Sequence, residues 1–298
     1  MRAVVTGGAG FIGSHVVDAL LQRGDEVHVV DNITTGRREN LDAAATLHEQ
    51  DIREPLEPLF DELRPEAVVH LAAQADVGTS VERPLLDAEV NVLGTINVLE
   101  AARRHGSQLV FSSTGGAIYG EVEGPASEDA PRQPASPYGT SKLAAEEYLA
   151  TWNRLHGGSH VVLRFANVYG PRQLAKLEGG VVAIFMGKLR AGEEVTIFGD
   201  GEQTRDFVYV GDVVEAVVAA VGADGGVFNV GTGIETSVND LFEACRRIAG
   251  ADGRAVHAPA RPGEAARSVI DVAHAERELG WRPRHSLEEG LRETWLAG

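Results

Sequence analysis

The feature that most restricts the fold of this chain lies at its N-terminal end. A short apolar run over residues 1–6 leads directly into the turn GGAGFIG, which places Gly7, Gly10 and Gly13 ahead of a helical pattern. Glycines at such a turn let the backbone approach a pyrophosphate that lies on the helix N-terminus. The next apolar run ends in Asp31, near the ~20-residue offset expected of a carboxylate that binds ribose hydroxyls. The sequence therefore predicts a dinucleotide site between the first strand and the first helix.

Strand and helix patterns alternate through the first half of the chain. Apolar runs typical of strands span 1–6, 26–30, 46–50, 67–71, 108–111 and 160–165, and helical periodicity spans 14–23, 84–104 and 137–156. This alternation is typical of a parallel sheet with helices on both faces. We therefore predict an α/β fold built on a Rossmann-type, doubly wound parallel sheet.

The pattern changes after residue 171. We expect a loop at 173–180, helices at 181–190 and 212–221, a strand at 194–198, and at 227–230 one more buried strand that rejoins the first sheet. Ser286 and Glu289 form a capping-box sequence before a final helix. The predicted division is a dinucleotide-binding domain of residues 1–166, rejoined by about 208–233, and a smaller, interleaved C-terminal substrate domain of residues 167–207 and 234–298.

Composition limits the classes of partner. The formal net charge is −17, and a field of this sign repels nucleic acid and anionic lipid, so an anionic ligand needs a local site. A single cysteine, Cys245, excludes an internal disulfide, and the absence of CxxC and HExxH spacings predicts no metal. No signal-peptide pattern is present and no uncharged apolar stretch has the ~18 residues of a membrane span, so we expect no membrane partner and a cytoplasmic location.

The most specific local pattern is the YxxxK pair of Tyr138 and Lys142. Residues at i and i+4 share a helix face, so the ammonium ion can favour the phenolate of a tyrosine that is otherwise a weak base at neutral pH. The chain has three lysines, Lys142, Lys176 and Lys188, and the scarcity singles out Lys142 as functional while the other two have no assigned role. Upstream, the segment FSST brings Thr114 to the sheet edge where ligands bind, and we expect its hydroxyl to bridge the substrate and Tyr138.

The predicted cofactor is NAD. A carboxylate at Asp31 repels the 2′-phosphate of NADP. Arg37 and Arg38 lie near enough in the sequence to bind such a phosphate, so NADP is the alternative.

Further sequence motifs are distributed over the rest of the chain. They are LAAQ at 71–74, Asn91, SST at 112–114, YGTSK at 138–142, RFANVYGP at 164–171, FGDGEQTRDFVYVGDVV at 198–214, FNVGTG at 228–233, RPGE at 261–264 and LGWRP at 279–283. With them the chain resembles the extended short-chain dehydrogenase/reductase family. Within it, the chain is most similar to the UDP-galactose 4-epimerase branch of the nucleotide-sugar epimerases.

The resemblance implies a role for each of several residues. It implies a catalytic set of Thr114, Tyr138 and Lys142. It implies NAD contacts, besides Tyr138 and Lys142, by Gly7, Gly10, Phe11, Ile12, Asp31, Asn32, Asp51, Ile52, Leu71, Ala72, Ala73, Asn91, Ser112 and Phe165. It implies contacts with the nucleotide sugar by Thr114, Asn167, Thr196, Phe198, Arg205, Arg261 and Ser268. Ala75, Phe165 and Phe207 depart from the family, which has lysine or tyrosine there in some members, so those contacts are expected to be apolar or absent.

The implied function is inversion of C4 in the sugar of a UDP-hexose, such as UDP-glucose or UDP-galactose, through a transient 4-keto sugar and NAD. Alternatives are a UDP-glucuronate 4-epimerase and a nucleotide-sugar 4,6-dehydratase or decarboxylase, although Gly115 and Gly116 stand where dehydratases carry an acid pair. A non-catalytic NAD-binding protein is disfavoured by the intact Thr114, Tyr138 and Lys142.

Two further expectations concern scope and assembly. Family comparison implies that the side chain of Ser268 limits the size of the substituent at C2 of the sugar. Serine is small, so we predict that N-acetylated UDP-sugars are accepted. Helices like those predicted at 84–104 and 137–156 form the dimer interface in similar epimerases, so the resemblance implies a homodimer through two helices per subunit.

Overall fold

A seven-stranded parallel sheet forms the centre of the computed structural model, which describes residues 1–175, 180–260 and 265–298. The strands of this sheet are β1 (Arg2–Thr6), β2 (Glu26–Asp31), β3 (Thr46–Glu49), β4 (Ala67–His70), β5 (Gln108–Thr114), β6 (Val161–Phe165) and β10 (Gly226–Val230). They lie in the order β10-β6-β5-β4-β1-β2-β3. The predicted Rossmann-type doubly wound sheet is confirmed.

Six further strands of the described part of the chain lie outside the large sheet. They are β7 (Asn167–Tyr169), β8 (Val195–Phe198), β9 (Thr204–Tyr209), β11 (Glu235–Ser237), β12 (Ala255–Ala258) and β13 (Arg267–Ser268). In one small sheet β9 lies between β11 and β13 and also pairs with β7, and in the other β8 pairs with β12. The chain therefore leaves the large sheet after β6, forms β7 to β9, and returns to pair β10 with β6.

Twelve α-helices connect the strands of the described part of the chain. They are α1 (Phe11–Gln22), α2 (Glu57–Leu63), α3 (Val77–Glu82), α4 (Pro84–Ala88), α5 (Gly94–Arg103), α6 (Gly115–Ile118), α7 (Pro137–His156), α8 (Val181–Ala191), α9 (Val210–Ala220), α10 (Val238–Ala249), α11 (Ala273–Leu279) and α12 (Leu287–Leu296). Among the described residues, none of the helices combines the length and apolar character needed to cross a membrane.

Each face of the large sheet is covered by a hydrophobic core. Leu20 of α1 and Val217 of α9 belong to the core on one face, and Leu99 of α5 and Leu149 of α7 belong to the core on the other. Burying one such side chain stabilises the fold by about 1.5–3 kcal/mol. Because the central strands are buried on both faces, their sequences are continuous apolar runs rather than alternating ones. A third core joins α8, α10 and α12 to the small sheets.

β5 and the helix predicted over 84–104 differ from the predictions at the site. β5 continues to Thr114, because Ser112, Ser113 and Thr114 pair with β6, so these hydroxyl residues end the strand and do not leave the sheet. The helix predicted over 84–104 is divided into α4, a π-helical turn at Glu89–Leu93, and α5. A single wider turn leaves the apolar period nearly unchanged, so the pattern did not reveal it.

Candidate active site

A cavity of about 510 Å³ opens at the carboxyl ends of the parallel strands. Ligands of open α/β sheets bind at this edge, and the volume is in the usual range of ligand pockets. The predicted site residues that line it are Gly7, Gly10, Phe11, Ile12, Gly13, Asp31, Asn32, Asp51, Ile52, Leu71, Ala72, Ala73, Ser112, Thr114, Tyr138, Lys142 and Phe165. Motifs that are far apart in the sequence thus surround one space.

The glycine turn forms one end of the cavity. Gly7 has φ +70°, and a Cβ atom there would lie 2.6 Å from the backbone nitrogen of Ala72. A Cβ atom on Gly13 would lie 2.1 Å from the carbonyl oxygen of Gly7. Neither position admits a side chain, and no side chain of the described residues caps the N-terminus of α1. The first N–H groups of that helix are therefore available to an anion, and the turn fits a pyrophosphate.

Asp31 lies at the end of β2 beside this turn. Its Oδ2 accepts a hydrogen bond from the backbone N–H of Ala9 at 3.0 Å, and its Oδ1 accepts one from that of Ile33 at 2.8 Å. An ionised carboxylate has about four lone-pair sites, so Asp31 can accept two more hydrogen bonds, as the two hydroxyls of a ribose require. These hydrogen bonds agree with the predicted role of Asp31 in selecting NAD.

Asp51 also lines the cavity, after the strand next to that of Asp31. It accepts hydrogen bonds from Asn32 at 2.8 Å and from the guanidinium of Arg53, which holds the pKa of the Asp51 carboxyl well below its usual range. Arg53 also lines the cavity and was not predicted. Its position two residues after Asp51 gave no pattern by which the sequence could reveal it.

Helix α7 brings the predicted catalytic pair, Tyr138 and Lys142, to the cavity. The Ser136 hydroxyl accepts a hydrogen bond from the backbone N–H of Gly139 at 3.2 Å, Pro137 occupies the first turn, and Gly157 ends the helix with φ 64°. These cap signals explain why the predicted bounds agree with the observed ones. Tyr138 and Lys142 then lie one turn apart on the face directed at the cavity.

The reacting groups of this pair are held by neutral contacts. The Nζ of Lys142 donates a hydrogen bond to the carbonyl oxygen of Ser112 at 2.8 Å and lies 4.8 Å from the ring centroid of Phe111. The Thr114 side chain acts on the phenol of Tyr138 and lowers its pKa, and both residues line the cavity. The predicted set of Thr114, Tyr138 and Lys142 therefore meets at the floor of the cavity.

Burial changes the proton affinity of both groups. It raises the pKa of Tyr138 to about 12, the charge of Asp87 adds to this rise, and the bond from Thr114 opposes it. It lowers the pKa of Lys142 to about 8, although the carboxylates of Asp87 and Glu146 oppose the fall. Desolvation is thus the largest influence on both groups in the protein alone, and for Tyr138 it favours the neutral phenol.

Asn91 lies behind the cavity wall and not in its lining. Its Nδ2 donates to the carbonyl oxygen of Gln74 at 2.9 Å and to the Ser141 hydroxyl at 3.1 Å, and its Oδ1 accepts from the Gln74 N–H at 2.9 Å. Gln74 lines the cavity beside Ala72 and Ala73. Asn91, predicted to contact NAD, thus holds the loop that carries other predicted contacts.

The residues predicted for the sugar approach the floor from another side. A Cβ atom built on Gly116 would lie 3.4 Å from Oδ1 of Asn167 and 3.9 Å from the hydroxyls of both Ser268 and Thr114. Asn167 and Ser268, on two strands of the small sheet, are thereby brought next to Thr114, the threonine predicted to be catalytic.

The other predicted sugar-nucleotide contacts lie farther out. Thr196 and Phe198 are on β8, and Arg205 is on β9. None of the three lines the cavity, and the Arg205 guanidinium donates to the carbonyl oxygen of Thr204 at 2.8 Å. Arg261 and Lys176 lie outside the described residues. Lys188 donates a hydrogen bond to the carbonyl oxygen of Glu194 at 2.9 Å, which joins the end of α8 to the start of β8.

Gly115 and Gly116 bear on the dehydratase alternative. A Cβ atom on Gly115 would lie 3.0 Å from two side-chain carbons of Ile270, and one on Gly116 would point into the space between Asn167 and Ser268. A side chain at Gly115 would need Ile270 to move, whereas a Cβ atom at Gly116 makes only ordinary contacts. The floor of the cavity accordingly has no carboxylate where a dehydratase carries two.

Several cavity residues were not among the predicted contacts. They are Val30, Thr34, Thr35, Gln50, Arg53, Gln74, Ala75, Asp76, Leu86, Val90, Ser113, Ala166, Val168 and Gln173. Most adjoin a predicted residue in the sequence, and that adjacency was the signal available for them. Gln173 had no such neighbour and reaches the cavity only through the loop after β7.

Comparison with known proteins agrees with this geometry. The model of the NAD dependent epimerase/dehydratase family matches residues 3–231, which is more than half of the chain. The chain belongs to this family. The NAD dependence of this family agrees with the cofactor predicted from the glycine turn and Asp31. The predicted assignment to the extended short-chain dehydrogenases/reductases is confirmed.

Three relatives within the family match the chain over nearly its whole length. The UDP-glucose 4-epimerase of Mycolicibacterium smegmatis is 45% identical over 304 residues, which cover 99% of this chain and 97% of the relative. The structure of UDP-glucose 4-epimerase with UDP-glucose from Thermotoga maritima has a TM-score of 0.97 at 48% identity and covers 100% of this chain and 98% of its own. The Thermus thermophilus UDP-glucose 4-epimerase in complex with NAD has a TM-score of 0.96 at 47% identity, with the same coverage.

Proposed function

We propose that this protein is an NAD-dependent UDP-sugar 4-epimerase that interconverts UDP-glucose and UDP-galactose and also accepts their N-acetylated forms. The observation that carries the proposal is the meeting of Thr114, Tyr138 and Lys142 at the floor of a cavity whose other end is the glycine turn. The family membership and the relatives' activities support it.

The cavity fits NAD in an extended arrangement. The first turn of α1 would hold the pyrophosphate, Asp31 the adenosine ribose, and Asp51 with Ile52 the adenine. Lys142 would reach the second ribose from α7. Bound NAD would supply the acceptor, and then the donor, of the hydride at C4 of the sugar.

Tyr138 would carry the proton of the reaction. Its Oη would take the proton of the sugar 4-hydroxyl as C4 becomes a ketone, and return it after the sugar has turned its other face, so that C4 is inverted without net oxidation. A phenol whose pKa is about 12 needs help to act as a base. A positive charge in the cavity would lower that pKa by the same Coulomb effect through which Asp87 raises it. Thr114 would hold the substrate oxygen beside the phenol.

We propose that Asn167 and Ser268 contact the sugar and its phosphates from the small sheet, with Thr196 and Phe198 near the base. Arg205 and Arg261 would bind the diphosphate, for which fixed, bidentate cations are suited in so acidic a chain. On this view residues 1–166 with 208–233 bind NAD, and residues 167–207 with 234–298 bind the UDP-sugar.

A panel of UDP-sugars tests the proposal. Purified protein would be incubated separately with UDP-galactose, UDP-N-acetylgalactosamine and UDP-glucuronate, and the products identified by proton NMR. We expect UDP-galactose to equilibrate with UDP-glucose and the N-acetylated pair to interconvert, without net formation of NADH. No interconversion of any UDP-sugar would overturn the proposal, and loss of water or CO₂ by mass spectrometry would assign a dehydratase or a decarboxylase instead.

We also propose that the protein is a homodimer in the cytoplasm. Large apolar side chains are exposed on adjacent helices, and we call them the α4/α7 patch: Val77, Val81, Leu85, Leu93, Tyr148 and Leu155. They lie on α3, α4, the π-helical turn and α7. All of these except α3 belong to the helices predicted at 84–104 and 137–156 to form the interface. An exposed apolar surface of this kind is typical of an interface between proteins.

A further inference from the structure

A buried carboxylate lies behind the cavity wall and has no assigned role. Asp87 on α4 is 1% exposed. Its Oδ1 accepts hydrogen bonds from Nε2 of Gln74 at 3.0 Å and from Nδ2 of Asn91 at 3.1 Å. Both donors are neutral amides, and within the described ranges Asp87 forms no salt bridge. Burying a carboxylate in this way costs several kcal/mol per ion unless an opposite charge compensates it.

The buried cation on the neighbouring helix is Lys142, which is 3% exposed and also has only neutral contacts at its Nζ. Lys142 lies on α7, and α4 packs directly against α7. The two buried charges therefore lie on helices that pack against each other, and the hydrogen bonds of the described residues do not join them directly.

The other buried charges near this interface neutralise each other. Arg164 of β6 and Glu146 of α7 are 2% and 4% exposed, and the guanidinium donates to the carboxylate at 2.6 and 3.0 Å. The Arg164 guanidinium also donates to Tyr119 at 2.7 Å. Glu146 also raises the pKa of Lys142, but its carboxylate is paired with Arg164. Among the described residues near this interface, Asp87 is the buried carboxylate that has no cation hydrogen-bonded to it.

The other ionisable groups of the surroundings are neutral or already hydrogen-bonded elsewhere. His70 of β4 is fully buried, and burial together with the charge of Lys142 lowers its pKa to about 3, so it is neutral at any working pH. Tyr138 is protonated in the protein alone. The side chain of Asp76 is occupied at the N-terminus of α3, where it accepts from the Thr79 N–H at 2.7 Å.

We propose that Asp87 is a positioning residue of the active site: its charge keeps Lys142 an ammonium ion, and its Oδ1 fixes Gln74 and Asn91 against the cavity. The direction in which Asp87 moves the pKa values of Lys142 and Tyr138, upward for both, agrees with this role. The catalytic consequence rests on the proposed epimerase function, but the effect on Lys142 does not.

The scarcity of lysine gives a direct measurement. With only three lysines in the chain, protein labelled with ¹³Cε-lysine would give few enough NMR signals to assign by the variants Lys142→Arg and Lys188→Arg. The chemical shift of Cε follows the protonation of Nζ, so a pH titration yields the midpoint for each lysine. In Asp87→Asn, which keeps the side-chain shape and removes the charge, we expect the Lys142 midpoint to fall by at least about half a pH unit. Lys188 serves as the internal reference and should not move.

Two variants separate the charge from its structural setting. Asp87→Glu retains the charge and should keep the Lys142 midpoint close to that of the wild type, even if packing suffers. Asp212→Asn removes another fully buried carboxylate, one that contacts Arg284, His285 and no cavity residue. It should lower the melting temperature and leave the Lys142 titration unchanged.

The pH profile of turnover gives a second readout. Because Asp87 raises the pKa of both Tyr138 and Lys142, both limbs of the profile should move to lower pH in Asp87→Asn. Lys142 midpoints that coincide in Asp87→Asn and wild type would overturn the inference. A shifted midpoint in a protein that interconverts no UDP-sugar would instead support the inference and overturn the proposed function.

Discussion

Burial is the dominant influence on the chemistry of Tyr138. The residue lies at the floor of the cavity, where desolvation favours the neutral phenol and the hydrogen bond from Thr114 offsets only part of that effect. A base of this kind is inactive until a positive charge enters the cavity. The apo protein should therefore not deprotonate a substrate hydroxyl at neutral pH, which couples proton transfer to occupancy of the cofactor site.

Replacing Tyr138 removes the proposed proton carrier. We expect Tyr138→Phe to lower kcat for UDP-galactose by about 100-fold or more, the usual contribution of general acid–base catalysis, with little change in KM. Initial rates measured over a range of UDP-galactose concentrations give both constants. Tyr148→Phe, a matched loss of one hydroxyl on the exposed side of α7, should retain the wild-type kcat. Undiminished turnover by Tyr138→Phe would refute the catalytic assignment.

Ser268 should set the size of the sugar that fits. Its hydroxyl lies beside the Thr114 hydroxyl and the Asn167 amide around the point occupied by Gly116, so a large side chain would fill that space. In Ser268→Tyr we expect kcat/KM for UDP-N-acetylglucosamine to fall at least about tenfold more than that for UDP-glucose, since filling a pocket costs about 1–3 kcal/mol. Each substrate is the control for the other, and equal losses on both would argue against a gate.

The sequence could predict the residues whose chemistry shows in a local pattern. Gly7, Asp31, Tyr138 and Lys142 each belong to a spacing with a physical reason, and all four line the cavity. The sign of the shift in the pKa of Tyr138 could not be predicted, because it depends on how deeply the folded chain buries the phenol.

At the scale of elements, the bounds of α7 could be predicted from the sequence, whereas the π-helical turn at Glu89–Leu93 could not. The bounds of α7 follow from local cap residues, which the sequence displays. The π-helical turn depends on tertiary contacts, such as the bonds of Asn91 to Gln74 and Ser141. A periodicity argument cannot detect contacts between distant segments, so this turn and the positioning role of Asn91 could not be predicted.

The capping box of α12 provides a test at this scale. The Ser286 hydroxyl accepts a hydrogen bond from the Glu289 N–H at 3.3 Å, while the Glu289 carboxylate accepts one from the Ser286 N–H at 2.9 Å. We expect Ser286→Ala to lower the free energy of unfolding by about 1 kcal/mol. Urea denaturation followed by circular dichroism measures the change. Glu288→Gln, in the same turn but outside the box, should change it by less than about 0.5 kcal/mol, and an equal loss in both variants would count against the cap.

At the scale of the whole molecule, three hydrophobic cores and one exposed apolar surface account for most of the organisation. The cores lie on the two faces of the large sheet and beneath the small sheets. The α4/α7 patch remains open to solvent, and its Leu85 is 79% exposed. The family resemblance predicted the helices that would form the interface. The side chains exposed on those helices could be identified only from the folded structure.

A charged substitution in the α4/α7 patch should dissociate the proposed dimer. We expect the wild type to have twice the chain mass of 31.7 kDa by light scattering coupled to size-exclusion chromatography, and Leu85→Glu to have the mass of one chain. The reason is that a buried, unpaired carboxylate is strongly unfavourable in an apolar interface. Ile234→Glu changes an exposed apolar residue outside the patch and should stay dimeric. A monomeric wild type would contradict the assembly directly.

The return of the chain to the large sheet through β10 has a consequence for biosynthesis. On the ribosome the N-terminal strands emerge first, and β6 is made well before the strand that pairs with its outer edge. Until β10 emerges, the residues of β6, all buried in the finished protein, border an open strand edge of the kind that recruits other chains. This edge of the nascent sheet therefore stays open while β7 to β9 are being synthesised. A chaperone that shields strand edges would protect the chain in that interval.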